Sequence, residues 1–308
     1  MTQTEPIPPN SPPDLPPKSE WINWKLRLMP LCWGGSFVAG RAAVQAADPL
    51  NVAFCRYGIA TLLLLLLTWR VEGGLPALKS RQIPGILLLG LTGVFGYNLL
   101  FFLALEQVSA SRAALVITTN PAFIALGAAW LYRERLSWQK LLGIGAALAG
   151  AAIVISRGDW ALIWSGGVTL GDLYLLGGIA TWTAYSLLGK AVMRSLSPLA
   201  ATTYACLVGT PLLLIPALGA NLITALPQFS LAAWGSTLYL AILGTVLPFW
   251  WYYEGMQAIG AAKAAIYITF VPVVAVLLAA LLLGEVLTGA IAVGGLLVVA
   301  GILLVNRG

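Results

Sequence analysis

Along the chain, apolar residues run in long blocks separated by short polar breaks. Ten blocks have the length of a bilayer-spanning helix: residues 25–45, 50–70, 83–104, 111–132, 138–156, 169–190, 198–218, 232–255, 261–283 and 287–305. The alternation at period two that marks a membrane barrel is absent. Helices must therefore satisfy the backbone groups in lipid. The longest breaks fall near residues 71–81, 157–168 and 219–230. Ahead of the first block, residues 1–20 hold seven of the 18 prolines. Residues 1–22 are therefore expected to form an extended, disordered cytoplasmic tether. This tail has no apolar core of the kind a signal peptide needs, so the first hydrophobic helix is expected to act as an uncleaved anchor.

Composition agrees with an integral membrane protein. The 308 residues are 59% hydrophobic and only 9% charged, against about 25% charged in soluble domains. The net charge of +6 comes from cations scattered at block ends, with no basic stripe to contact nucleic acid. With a cytoplasmic N-terminus, 13 of the 17 lysines and arginines fall on the inner side, leaving Arg41, Arg56, Arg112 and Arg157 outside. That bias places both termini in the cytoplasm and the chain in the inner (plasma) membrane.

The same inventory removes several kinds of chemistry. The chain has no histidine, and Cys32, Cys55 and Cys206 lie far apart within apolar blocks. No metal site, cofactor or disulfide framework is readable from such a set. Motifs of the G-x-S-x-G, H-E-x-x-H and G-x-x-x-x-G-K-[ST] types are missing, which argues against an enzyme and against direct drive by ATP.

The chain repeats itself. Trp33, Arg41 and Pro49 recur as Trp182, Lys190 and Pro198, each 149 positions later. Arg112, Pro121, Glu134, Gly143 and Gly150 recur as Lys263, Pro272, Glu285, Gly294 and Gly301, each 151 positions later. Thr118 likewise matches Thr269. The shift spans five blocks, an odd number, so the two halves must cross the membrane in opposite senses. The expected fold is all-α, with ten transmembrane helices in two inverted five-helix repeats, residues 23–156 and 157–308, around a central cavity. Inverted repeats are an architecture of secondary transporters.

Several stretches carry a family resemblance over roughly residues 25–305. They are "WGGSFVAGR", "NPAFIALGAAWLYRERLSWQKLLGIGAALAGAAIVI" and "VPVVAVLLAALLLGEVLTGAIAVGGLLVVAGILLV". Together they resemble the EamA branch of the drug/metabolite transporter superfamily. The resemblance implies an inner-membrane transporter, often an exporter of amino acids or other small metabolites. It also implies a cavity built mainly from helices 1, 3, 4, 6, 8 and 9, with helices 5 and 10 peripheral.

Candidate cavity residues follow from polarity and repetition. Pro121 and Pro272 sit inside their blocks, where proline frees a carbonyl and kinks a helix. Asn98 and Asn120 are amides in hydrocarbon, which must face protein, water or a ligand. Thr118 and Thr269 can instead bond their own helix backbone. Trp33, Ser36, Tyr97, Trp182, Tyr185, Trp250 and Tyr253 supply aromatic area and polarity of the kind a ligand pocket uses. Arg41 and Lys190 occupy one duplicated position, and inversion puts them at opposite mouths as gating candidates. Glu106 and Glu254 are the carboxylates placed to carry a coupling proton, although Glu106 can also pair with Arg112 across the short turn. Glu134 and Glu285 are read as structural carboxylates at helix starts. "GIGAALAG" at 143–150 and "GGLLVVAG" at 294–301 allow close packing, either within the chain or between protomers.

The sequence therefore points to a secondary active transporter moving a small metabolite by alternating access, with amino-acid export as the concrete expectation. Uptake of a sugar or nucleoside is the alternative, and a channel is a third. The expected partners are a small-molecule substrate and the lipid bilayer, with proton coupling and the choice of monomer or homodimer left open.

Overall fold

The computed structural model describes residues 18–159, 161, 168–259 and 261–307. Among them, regular structure is entirely helical. The elements are α1 (Lys18–Ala46), α2 (Pro49–Glu72), α3 (Ser80–Gln107), α4 (Ala110–Tyr132) and α5 (Trp138–Ile155). They continue with α6 (Leu170–Val192) and α7 (Pro198–Gly219). Element α8 comprises the consecutive segments Leu231–Ala241, Ile242–Val246 and Leu247–Ile259. Element α9 comprises Ala261–Ile268 and Val271–Leu283, and α10 is Gly289–Arg307.

Eight of these elements contain a helix long and apolar enough to cross a membrane. The protein is thus a multi-pass membrane protein. The other two, α1 and α6, carry Trp33, Ser36 and Arg41, and Trp182, Ser186 and Lys190. Polar and aromatic residues lower the hydropathy of these two helices because much of their surface faces protein rather than lipid.

The local chemistry explains where helices start. Asp48 caps α2 by accepting from the Leu50 amide at 2.8 Å, and Pro49 fills the first turn, where no amide is needed. Ser137, Ser197 and Ser230 cap α5, α7 and α8 in the same way. Asp172 and Thr169 form a reciprocal capping box at the start of α6.

Two kinds of irregularity interrupt the long helices, and both occur twice. α4 is broken at Thr118–Thr119, and α9 at Thr269–Phe270. Pro121 and Pro272 do not kink a continuous helix, as the sequence suggests. Each sits in the first turn of a new segment, where its missing donor costs nothing. α3 and α8 each contain a π-helical turn, at Gly90–Gly96 and Ile242–Val246.

Packing pairs the helices in a regular way. α1 lies against α8 and α9, while α6 lies against α3 and α4. α2 packs on α7, and α5 packs on α10. At the α2–α7 contact the hydroxyls of Thr61 and Thr210 meet at 2.8 Å. The α5–α10 contact is so close that a Cβ at Gly143 would stand 2.6 Å from the Gly301 carbonyl oxygen. One at Gly150 would stand 2.5 Å from that of Gly294. The two small-residue stripes are therefore used against each other within one chain.

Candidate functional site

A cavity of about 410 Å³ lies where the irregular segments converge. That volume falls within the range of small-molecule sites. Both broken helices reach it, through Ile117, Thr118, Asn120, Pro121 and Ile124 of α4 and through Ile268, Thr269 and Val271 of α9.

Aromatic rings form its walls in two groups. On one side Trp182 of α6 lies 4.8 Å from the Tyr97 ring of α3, which stacks in turn on Phe101 at 5.7 Å. On the other, Trp33 of α1 meets Phe249 edge-on at 5.5 Å and Tyr252 at 6.0 Å, both from α8. Such ring pairs are rigid and fix the shape of the space between them.

The polar groups on the wall differ in how far they are already satisfied. The Ser36 hydroxyl donates to the Cys32 carbonyl at 2.9 Å, and Ser186 donates to Trp182 at 2.8 Å. Thr118 donates to the Ala114 carbonyl at 2.7 Å, as a backbone-bonding threonine should. Its repeat-mate Thr269 behaves differently. The Thr269 hydroxyl and the Asn120 side-chain oxygen are both buried on the wall and have no partner among the described residues.

Among the described residues one charged side chain reaches the cavity, Arg56 of α2, which is 6% exposed. Arg56 and Arg112, counted on the outer side in the sequence, are both buried inside the protein. A cation inside an apolar block is the one sequence feature that singles out Arg56.

The remaining expected residues lie elsewhere. Asn98 is fully buried behind the wall and accepts from Arg56 at 3.1 Å. Tyr185 stands behind Trp182, 5.2 Å from its ring. Pro272 is buried next to Val271 but does not line the cavity. Trp250 is also off the wall, with the Lys25 ammonium 5.1 Å from its ring. The Tyr253 side chain lies outside the described residues.

The wall comes mainly from α1, α3, α4, α6, α8 and α9, the set that the resemblance implies, and α2 adds Arg56 and Tyr57 while α10, expected to be peripheral, adds Ile302 and Asn306.

The charged candidates sit at the ends of the bundle. Arg41 donates to the carbonyls of Leu105 and, at 2.7 Å, Glu106, so it covers the C-terminal end of α3. Lys190 pairs with Glu134 at 2.5 Å and lies 5.0 Å from the Tyr132 ring. That lysine holds the Glu134 carboxyl below the usual carboxylate range, by hydrogen bond and by charge. The Arg112 guanidinium does not pair with Glu106 but with Asp172 of α6, at 2.7 Å. Glu254 is matched by Lys25 at 2.5 Å, 229 positions away in sequence. Glu285 does cap a helix start, but of α4 rather than of the helix that follows it. Its two oxygens accept from the amides of Ala110 at 2.7 Å and Ser111 at 3.0 Å.

The sequence model of the EamA-like transporter family matches the chain twice, over residues 23–156 and 169–307. An uncharacterized transporter of Bacillus subtilis, YyaM, is 28% identical over 273 residues, covering 89% of each chain. A probable terminal-alkyne amino-acid exporter of Streptantibioticus cattleyicolor is 30% identical over 288 residues, covering 92% of this chain and 93% of the relative. One solved crystal structure shares the fold with a TM-score of 0.64 at 19% identity, covering 93% of this chain and 97% of the other.

Proposed function

The chain belongs to the EamA-like transporter family, and from that premise we propose that it is a secondary active transporter exporting a small metabolite, an amino acid or a close relative, by alternating access. The observation that carries this reading is the cavity, flanked by two helix breaks 151 positions apart and walled by aromatic rings from both ends of the chain. Broken helices at a midplane site are a recurring device of carriers. The relative named as a probable amino-acid exporter supports the substrate class.

In this reading ten spans form two inverted repeats, residues 23–156 and 157–308. The double family match supports the division. So does the helix packing, because exchanging each helix for the one five places along maps α1–α9 onto α6–α4 and α1–α8 onto α6–α3. α2–α7 and α5–α10 map onto themselves. Thr61 and Thr210, which touch, are 149 positions apart, as residues on a two-fold axis should be.

An inner-membrane location with both termini cytoplasmic remains our reading of the charge bias. With that orientation the cavity extends toward the cytoplasm, past Ser186 and Asn306. The outer end is closed by Arg41 on α3, Glu285 on α4 and the Arg112–Asp172 pair.

The two ends are not equivalent. The repeat-mate of the Lys190–Glu134 pair is Arg41–Glu285, and here Arg41 and Glu285 bind helix ends instead. The alternate state exchanges these partners. Glu254 can carry a coupling proton only if the proton displaces Lys25, and retained dependence on a pH gradient in Glu254→Gln would remove that role.

A Ser186→Cys variant in sealed vesicles tests alternation. A membrane-impermeant maleimide is expected to label it from the cytoplasmic side, with substrate on either side changing the rate. Labelling at one constant rate, whatever substrate is added, would count against alternation.

A further inference from the structure

We propose that Arg56 binds the carboxylate of the transported molecule, which makes the cavity selective for carboxylate-bearing substrates. This deepens the reading above and rests on the cavity being the transport site.

Arg56 lies inside the apolar helix α2 and is buried. An arginine in that setting is strongly disfavoured unless something compensates it. The ion pairs among the described residues are Lys25–Glu254, Arg112–Asp172 and Lys190–Glu134, and none involves Arg56. Its acceptors are neutral. Nη1 donates to Asn98 at 3.1 Å, Nε and Nη2 donate to the Thr245 hydroxyl at 3.2 and 3.1 Å, and Nη2 reaches the Gly244 carbonyl at 3.5 Å. These bonds orient the guanidinium without cancelling its charge.

The orientation is well supported. Asn98 donates in turn to the carbonyls of Gly93 and Val94, at 3.2 and 2.9 Å, within the π turn of α3. Thr245 belongs to the π turn of α8 and donates to Leu240 at 2.9 Å. The two π turns therefore hold the guanidinium through Asn98 and Thr245, and such turns cluster at functional sites. The rings of Tyr57 and Phe102 stand 5.2 and 5.8 Å from the guanidinium carbon. Nη1 carries two N–H groups, and among the described residues only Asn98 accepts from it.

What this leaves is a fixed, uncompensated guanidinium on the wall of an aromatic cavity. The remaining Nη1 N–H can donate a charge-assisted hydrogen bond to one oxygen of a carboxylate. A bound carboxylate supplies the missing counter-charge. The unpartnered Asn120 oxygen and Thr269 hydroxyl on the same wall are acceptors for an ammonium group. A neutral sugar would leave the arginine uncompensated, which disfavours the uptake alternative.

Thermal stabilisation and equilibrium binding of the purified full chain test the proposal. The probes are L-leucine, L-phenylalanine and L-threonine, each with its primary amide and the amine that lacks the carboxyl group, together with benzoate and succinate as simple carboxylates. At least one acid is expected to stabilise the protein, with its amide binding at least tenfold more weakly. In Arg56→Gln the acid should fall to the level of the amide, while the amide is unchanged. The acid–amide comparison on the unmodified protein needs no variant, so it stands even if Arg56→Gln fails to fold. Equal binding of acid and amide overturns the proposal and makes Arg56 a structural strut, and so does failure of every carboxylate to bind. Binding of simple carboxylates but no amino acid would keep the Arg56 assignment and remove the amino-acid reading.

Discussion

Replacing Asp172 with alanine is expected to cost about 3–5 kcal/mol of stability, a large share of what holds a protein folded. Asp172 is fully buried at the start of α6, and one of its oxygens does three jobs. It accepts from Arg112 at 2.7 Å, from the Thr169 amide at 2.9 Å and from the Thr169 hydroxyl at 2.7 Å. Arg112 also donates to the Ile155 carbonyl at 2.8 Å, so α4, α5 and α6 meet at this pair. Truncating the acid strands a buried guanidinium and opens the capping box together. Removing both charges is a different matter, because the desolvation cost disappears with the attraction. Arg112→Met combined with Asp172→Asn should therefore lie closer to the parent than Asp172→Ala does. Thermal unfolding in detergent checks both statements, and an Asp172→Ala protein that melts with the parent would contradict them.

Trp182→Ala is expected to cut transport at least about tenfold, chiefly through a raised KM. The tryptophan forms cavity wall and touches both Tyr97 and Tyr185, at 4.8 and 5.2 Å. Its loss removes contact area to the substrate and frees two neighbouring rings. Trp250→Ala removes the same side chain from a helix that also lines the cavity, but from a position off its wall. It should leave transport within about twofold, as substitutions away from a site do. Uptake assays at matched amounts of folded protein separate the two. Similar losses in both variants would mean that tryptophan matters for packing alone.

The contrast also shows why part of the site is hidden in the sequence. Trp250 is the aromatic residue that the sequence reading picks in this stretch of α8, yet Phe249 and Tyr252 line the cavity. The π turn at Ile242–Val246 comes just before them. One extra residue in a turn rotates everything after it by about 100°. A straight-helix reading has no warning of that. Arg56 is obscured for another reason. Its partners Asn98 and Thr245 are 42 and 189 positions away, so a linear count sees only a cation near one end of a block. The same holds for Arg112, whose acid lies 60 positions on rather than across the adjacent turn.

What is legible in the sequence is what the duplication writes twice. The breaks of α4 and α9 are marked by Thr118 with Pro121 and by Thr269 with Pro272. The close crossing of α5 and α10 is marked by paired glycines. Trp33 and Trp182, at one duplicated position, both reach the cavity wall. Arg41 and Lys190 both lie near helix ends, but their partners differ.

This cavity is expected to carry substrate alternately to the two membrane faces. Counterflow in proteoliposomes tests it most directly. Vesicles holding the purified chain are loaded with a high concentration of the amino acid that best stabilises it, then diluted into a trace of the labelled compound. A carrier should accumulate label transiently above equilibrium, and Trp182→Ala should reduce that overshoot. Label that only equilibrates, at a rate indifferent to the compound inside, would contradict alternating access and point to a channel.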